Sequence, residues 1–178
     1  MRPLLLALSL WLSIGGPYLT SVAAQSGATD AATTVILVRH AERVPGEGDV
    51  AISAAGRERA QALAQLLRDT EIRAIITSQM IRTKETADPL ARQKGITPDV
   101  LPADTLDAVV EKIRGVRGGV LVVHHSNTVP ALVEKLGGAT TPIRDDEFDR
   151  LVIVTIPPNG AASVVTLRYG APSPKMSG

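Results

Sequence analysis

Four short, nearly unbroken apolar runs, TTVILV (33–38), RAIIT (73–77), PDVL (98–101) and GVLVV (119–123), constrain this chain more than any other feature. Runs without polar alternation indicate strands buried on both faces, as in a parallel sheet covered by helices on each side. The segments between them repeat apolar residues at helical spacing. Gly56, Ala60, Leu63, Ala64 and Leu67 follow that spacing behind Ser53, an expected N-cap. Leu106, Val109, Val110 and Ile113 do the same, as do Val129, Leu132, Val133 and Leu136 ahead of Gly137-Gly138. Strand alternating with helix predicts an α/β fold with a mostly parallel central sheet and helices on both faces. A helix beginning near Gln79 meets Pro89, so it is expected to end or bend at Asp88, with a further turn before Gly95. Near the end, LVIVTI (151–156) and SVVTLR (163–168) flank PPNG and are expected to form a hairpin or add one antiparallel strand.

The N-terminus reads differently. Arg2, an apolar run from Leu4 to Ile14 and small residues ending at Ala24 have the order of a secretory signal peptide, so residues 1–24 are expected to be cleaved. The apolar run is shorter than the roughly 20 residues needed to span a bilayer, and no cysteine follows it to take a lipid. No stable membrane anchor is therefore expected, and the protein is expected to be exported, either periplasmic or secreted. Residues 25–32 read as a disordered lead-in, 33–170 as one domain and 171–178 as a flexible tail. Losing Arg2 would bring the formal charge from +1 to zero, and two of the four aromatic residues, Trp11 and Tyr18, lie in the leader. Neither a basic footprint nor a stacking platform for nucleic acid is present. The absence of cysteine excludes disulfides, thiolate metal sites and a cysteine nucleophile.

Ligands of open α/β sheets bind at the carboxyl ends of the strands. Arg39-His40-Ala41-Glu42-Arg43 follows the first run, Ser78 and then Arg82 follow the second, Asp104 follows the third, and His124-His125-Ser126-Asn127 follows the fourth. Arginines and histidines remote in sequence thus converge on one sheet edge. Guanidinium groups suit two oxygens of a phosphate, and an imidazole can be a nucleophile when its second nitrogen is held by a hydrogen bond. The helix after His125 adds backbone N–H groups at its positive end. A metal is not expected. The spacing of His40, His124 and His125 is no ligand signature, and the arginines would repel a cation.

Three motifs carry a resemblance: Arg39-His40-Ala41-Glu42, TSQMIRTKETA (77–87) and HSNTVPAL (125–132). With them the chain resembles the histidine phosphatase superfamily, the phosphoglycerate mutase-like enzymes and in particular their small phosphatases, over nearly all of residues 33–170. The resemblance implies that His40 becomes phosphorylated, that Arg39 and Arg82 grip the phosphate, that protonated His125 completes the pocket, and that Asn127 assists. It places His125 at the functional position and leaves His124 in a usually small one. Because strand side chains alternate, only one of the two histidines should face the pocket. Relatives supply a carboxylic acid to the leaving group. Asp104 is the candidate, alternatively an N-cap for a helix starting at Thr105, and Glu42, Asp146 and Glu147 are other possibilities. Arg43 and the VPGEGD loop (44–49) either line the entrance or form an ordinary exposed turn.

The resulting expectation is a phosphoric monoester hydrolase without metal or organic cofactor, acting on a phosphorylated small molecule or phosphoprotein through a phosphohistidine. The alternatives are a non-catalytic phosphate- or phosphosugar-binding module, and a mutase-type phosphotransferase. Export, which separates the chain from glycolytic intermediates, and short capping segments count against the mutase.

Overall fold

The computed structural model describes residues 32–173, so the expected signal peptide, and the lead-in apart from Ala32, lie outside the described residues. Ten elements alternate along the chain: β1 (Thr33–Arg39), α1 (Ala54–Leu66), β2 (Ile72–Ser78), α2 (Ile81–Lys94), β3 (Asp99–Leu101), α3 (Leu106–Arg114), β4 (Gly118–His124), α4 (Thr128–Lys135), β5 (Arg150–Ile156) and β6 (Ser163–Arg168). The strands make one sheet in the order β3-β2-β4-β1-β5-β6. β3, β2, β4 and β1 are parallel, β5 is antiparallel to β1, and β6 returns against β5 as a hairpin, so β5 alone runs against the rest. This is the mostly parallel sheet with one reversed strand that the sequence predicts.

The period of two along each strand divides the core. Val35, Leu37, Ile76, Val120 and Val122 pack with Val109, Ile113, Leu132 and Val133 of α3 and α4. Ile36, Val38, Ile75, Leu121 and Val123 face the other way, onto Leu63, Ala64, Ala87 and Leu90 of α1 and α2. Both faces of β1, β2 and β4 are thereby sealed, which is why their apolar runs carry no polar alternation, whereas the edge strand β3 leaves Val100 exposed.

Ser53 caps α1, its hydroxyl accepting from the Gly56 amide at 3.1 Å. Gly56 is fixed by packing, because a methyl group there would run into the Glu42 carbonyl oxygen. α2 does not end at Asp88 but continues through Pro89 to Lys94, the further turn expected before Gly95, and closes on left-handed Gly95 (φ 66°). Leu90 and Ala91, just beyond the proline, are 0% and 6% exposed. Their burial outweighs the missing amide and the ring's crowding of the preceding turn, which costs ~3 kcal/mol in a helix interior.

The tail also differs. Residues 171–173, expected to be flexible, are tied down: Arg59 donates to the Ala171 carbonyl at 2.9 Å, and Ser173 Oγ accepts from the Phe148 and Asp149 amides at 2.8 and 3.1 Å. Among the described residues no helix is long and apolar enough to cross a membrane.

Candidate active site

β1 and β4 are neighbours in exact register, Arg39 beside His124, and the ladder runs one step further as the His40 amide donates to the His124 carbonyl at 2.8 Å. The two strand ends therefore bring His40 and His125 together, with ring centroids 5.5 Å apart and the rings edge to face. His40 is 4% exposed. Its Nδ1 lies 2.8 Å from the Ala41 carbonyl, which can only accept, so Nδ1 carries the proton and Nε2 keeps its lone pair. Burial, aided by the charges of Arg39, Arg82 and Arg43, pushes the His40 pKa down to about 4 against the contrary pull of the Ala41 carbonyl. The imidazole is neutral near pH 7.

His125 is fixed through Ser78, the last residue of β2. Ser78 Oγ lies 2.9 Å from His125 Nε2 and 3.0 Å from Thr83 Oγ1. Thr83 directs its hydroxyl hydrogen to backbone carbonyls, Met80 at 2.8 Å and Ser78 at 3.0 Å. Ser78 must then donate to Thr83 and accept from His125, which assigns the proton to His125 Nε2 and the lone pair to Nδ1. Burial, and then the neighbouring His124, His40, Arg82 and Arg39, push the His125 pKa down to about 3. In the unliganded protein His125 is therefore neutral near pH 7, and the protonated form expected during phosphoryl transfer needs the bound anion. An anion in the cleft would offset the arginine charge and favour protonation.

His124 points to the opposite face. It is fully buried, its Nδ1 lies 2.6 Å from Thr128 Oγ1, and Thr128 Oγ1 also accepts from the His125 amide at 3.1 Å. His124 thus braces the first turn of α4 from behind, while His125 faces the cleft.

Both expected phosphate-gripping arginines border the cleft. Arg39 is 8% exposed. Its Nη1 donates to the carbonyls of Arg144, Asp145 and Glu147 at 2.9, 2.8 and 3.1 Å, and its guanidinium lies over the Phe148 ring at 4.1 Å. Arg82 reaches the Gly48 carbonyl at 3.4 Å and the Asp49 carboxylate at 3.7 Å. In each, Nε is buried without a partner. Buried donors are rarely left unpaired, and two of them on one cleft suit an acceptor that arrives from outside.

A cavity of about 410 Å³ is lined by Arg39, His40, Arg43, Gly46, Glu47, Gly48, Arg82, His125, Ser126 and Asn127. A second, of about 370 Å³, shares Arg82, His125 and Asn127 with it and continues to Gln79, Met80, Ala103, Asp104 and Thr128. Asn127 stands at the N-cap of α4 without using its side chain as a cap, and so borders both cavities. Asp104 is exposed, lines the second cavity, and does not cap α3, whose N-cap is Thr105.

The other acids considered from sequence are engaged elsewhere. Glu42 is held by Arg59 at 2.6–3.0 Å, and Asp146 meets Arg144 at 2.9 Å. Glu147 is 1% exposed and bonded to Arg150 and Arg168. Burial would raise the Glu147 pKa, but those hydrogen bonds hold it below the usual carboxylate range. Sequence reasoning missed the Ser78–His125 pair and the Phe148 ring beneath Arg39, whereas Arg43 and the VPGEGD loop do line the entrance, through Gly46, Glu47 and Gly48. Ser78 was signalled only by its place at the end of β2. Among the described residues no group of three His, Asp or Glu side chains could hold a metal ion.

The fold and the cleft together define a phosphoglycerate mutase-like α/β protein. Residues 35–106 match the model of the histidine phosphatase superfamily (branch 1). The structure of the protein histidine phosphatase SixA complexed with tungstate aligns with a TM-score of 0.64 at 20% identity, covering 76% of this chain and 96% of that one. Mycobacterial glucosyl-3-phosphoglycerate phosphatase aligns with a TM-score of 0.57 at 16% identity, covering 70% and 90%. A curated relative, the PE-PGRS family protein PE_PGRS11 of Mycobacterium tuberculosis, is 47% identical over 60 residues, which is 33% of this chain and 10% of that protein. The chain thus has the phosphoglycerate mutase-like fold, and residues 35–106 within it match the histidine phosphatase superfamily.

Proposed function

We propose that the protein is a phosphatase that hydrolyses a phosphomonoester, on a small molecule or a phosphoprotein, through a phosphohistidine on His40. One observation carries this reading. A buried neutral imidazole, with Nδ1 committed to a carbonyl and Nε2 free, shares a cavity with two arginines whose Nε atoms lack partners. His40 Nε2 attacks phosphorus in line with the departing oxygen, and water then cleaves the N–P bond. Arg39 and Arg82 stabilise the charge on the equatorial oxygens, joined by His125 once the anion has protonated it, and Asn127 borders the same space. The match of residues 35–106 to the histidine phosphatase superfamily supports enzymatic activity, and the cleft supports a phosphorylated substrate. The charge pattern of residues 1–24 supports export, which N-terminal sequencing of protein recovered outside the cytoplasm would check.

The test uses p-nitrophenyl phosphate and the His40→Ala variant. The parent protein should release inorganic phosphate and form an acid-labile phosphoenzyme, and the variant should do neither while keeping its circular dichroism spectrum. Phosphate binding without turnover would favour the binding module, and transfer to a second phosphate ester rather than to water would favour a mutase.

A further inference from the structure

The proton for the leaving group has no donor among the acids that the motifs suggested, except for Asp104 in the neighbouring cavity. We propose that Glu47 supplies it. This rests on the phosphatase reading above and names a catalytic residue for that reaction.

Among the described residues Glu47 is the one carboxylate lining the cavity that holds His40. Of the other acids at this sheet edge, Glu42 is held by Arg59, Asp49 by the Ile81 amide at 2.8 Å, Glu147 by Arg150 and Arg168, and Asp149 by Arg168 and Ser173, while Asp104 and Asp145 lie outside the lining of this cavity. No hydrogen bond or ion pair engages the Glu47 side chain among the described residues. It is exposed, yet its backbone is placed firmly. Its neighbours Gly46 (φ 139°) and Gly48 (φ 75°) have conformations that favour glycine. Arg43 donates to the Gly46 carbonyl at 2.5 Å, Arg82 reaches the Gly48 carbonyl at 3.4 Å, and the Val44 amide donates to the Ala51 carbonyl at 3.1 Å. The loop is thus pinned on both sides of Glu47, and one of the pins is an arginine expected to hold the phosphate. Binding geometry and acid placement are coupled through Arg82.

The chemistry balances as follows. As His40 Nε2 bonds to phosphorus and the P–O bond to the alcohol breaks, the alcohol oxygen takes the carboxyl proton of Glu47. In the second half the Glu47 carboxylate takes a proton from water, whose oxygen bonds to phosphorus as the N–P bond breaks. Phosphate and alcohol leave, and both Glu47 and His40 return to their starting states.

The experiment compares kcat/KM for p-nitrophenyl phosphate, whose leaving group departs without a proton, and for β-glycerophosphate, whose alkoxide needs one. Glu47→Gln should lower the value for β-glycerophosphate about 100-fold or more and that for p-nitrophenyl phosphate less than about fivefold. It should also accumulate phosphoenzyme, seen as a burst of nitrophenol, and Glu47→Asp should recover part of the loss. An equal loss on both esters would make Glu47 a binding residue and overturn the proposal. So would an ester-dependent loss that appears in Asp104→Asn and not in Glu47→Gln. If the parent protein turns over neither ester, or His40→Ala turns over both, the phosphatase reading has failed, and that is visible before the Glu47 variants are compared.

Discussion

Replacing Ser78 by alanine tests the hydrogen-bond chain that orients His125. The change removes the only hydroxyl 2.9 Å from His125 Nε2 and leaves that buried N–H without an acceptor. A buried unsatisfied donor costs about 1–3 kcal/mol. The Met80 amide, 3.3 Å from the same oxygen, lies at a half-buried helix start where water can replace it, so it adds little. Stability should therefore fall by about 2 kcal/mol, or roughly 4–8 °C in Tm for a chain of this length. Without Ser78 as an obligate acceptor, His125 can carry its proton on either nitrogen and turn about its ring axis. Hydrolysis of p-nitrophenyl phosphate should lose about 10–100-fold in kcat/KM, corresponding to ~1.4–2.7 kcal/mol of transition-state stabilisation. A double-mutant cycle separates this from general damage. Ser78→Ala made on a His125→Ala background should change kcat/KM by less than about twofold, because the group it positions has gone. Full additivity of the two losses, or a Ser78→Ala enzyme with parental kcat/KM, would refute the assignment of the Nε2 proton.

Arg59→Met should cost about 2–3 kcal/mol by urea denaturation, since it strips Glu42 of its partner and leaves the Tyr169 and Ala171 carbonyls without their donor. Stability should also fall with acid through the histidines. His40, His124 and His125 have pKa values pushed from 6.5 to about 4, about 4 and about 3, each chiefly by burial. The unfolded chain therefore binds more protons, and stability present above pH 6.5 is lost as the pH drops toward 4, at up to ~1.4 kcal/mol per pH unit for each histidine. Equal urea midpoints at pH 7 and pH 5 would contradict this. Asp104 is the only charged residue besides Arg82 in the second cavity, so it disfavours leaving groups that carry a negative charge. Asp104→Lys should raise kcat/KM for 3-phosphoglycerate relative to β-glycerophosphate about tenfold, measured as phosphate release.

Much of the fold was written in local pattern. Strands buried on both faces left continuous apolar runs, the Ser53 cap stood one residue before its helix, and Gly95 closed α2. Pro89 left open whether α2 ends or carries on, because local propensity registers the missing amide and not the burial of Leu90 and Ala91. At the site, position was legible and orientation was not. Strand ends named Arg39, His40, Arg82 and His125, since those ends are where a parallel sheet opens. Nothing in the sequence could show that Ser78 meets a nitrogen 47 residues away, or that Arg39 Nη1 is committed to carbonyls of residues 144–147. The lowered pKa of unliganded His125 was not legible for the same reason, because burial arises from residues distant in the chain.

The division between strand ends and connectors has a consequence for how such a protein changes over time. His40 and His125 continue the ladder between β1 and β4, whereas Glu47, Gln79 and Asp104 ride on exposed stretches of the connectors, apart from the buried Ala41 and Ile52. Rewriting the exposed stretches around a retained Glu47 would alter which molecules are accepted while leaving the reactive pair where it is. A lineage, or an engineer, can exchange one clientele for another at little risk to folding.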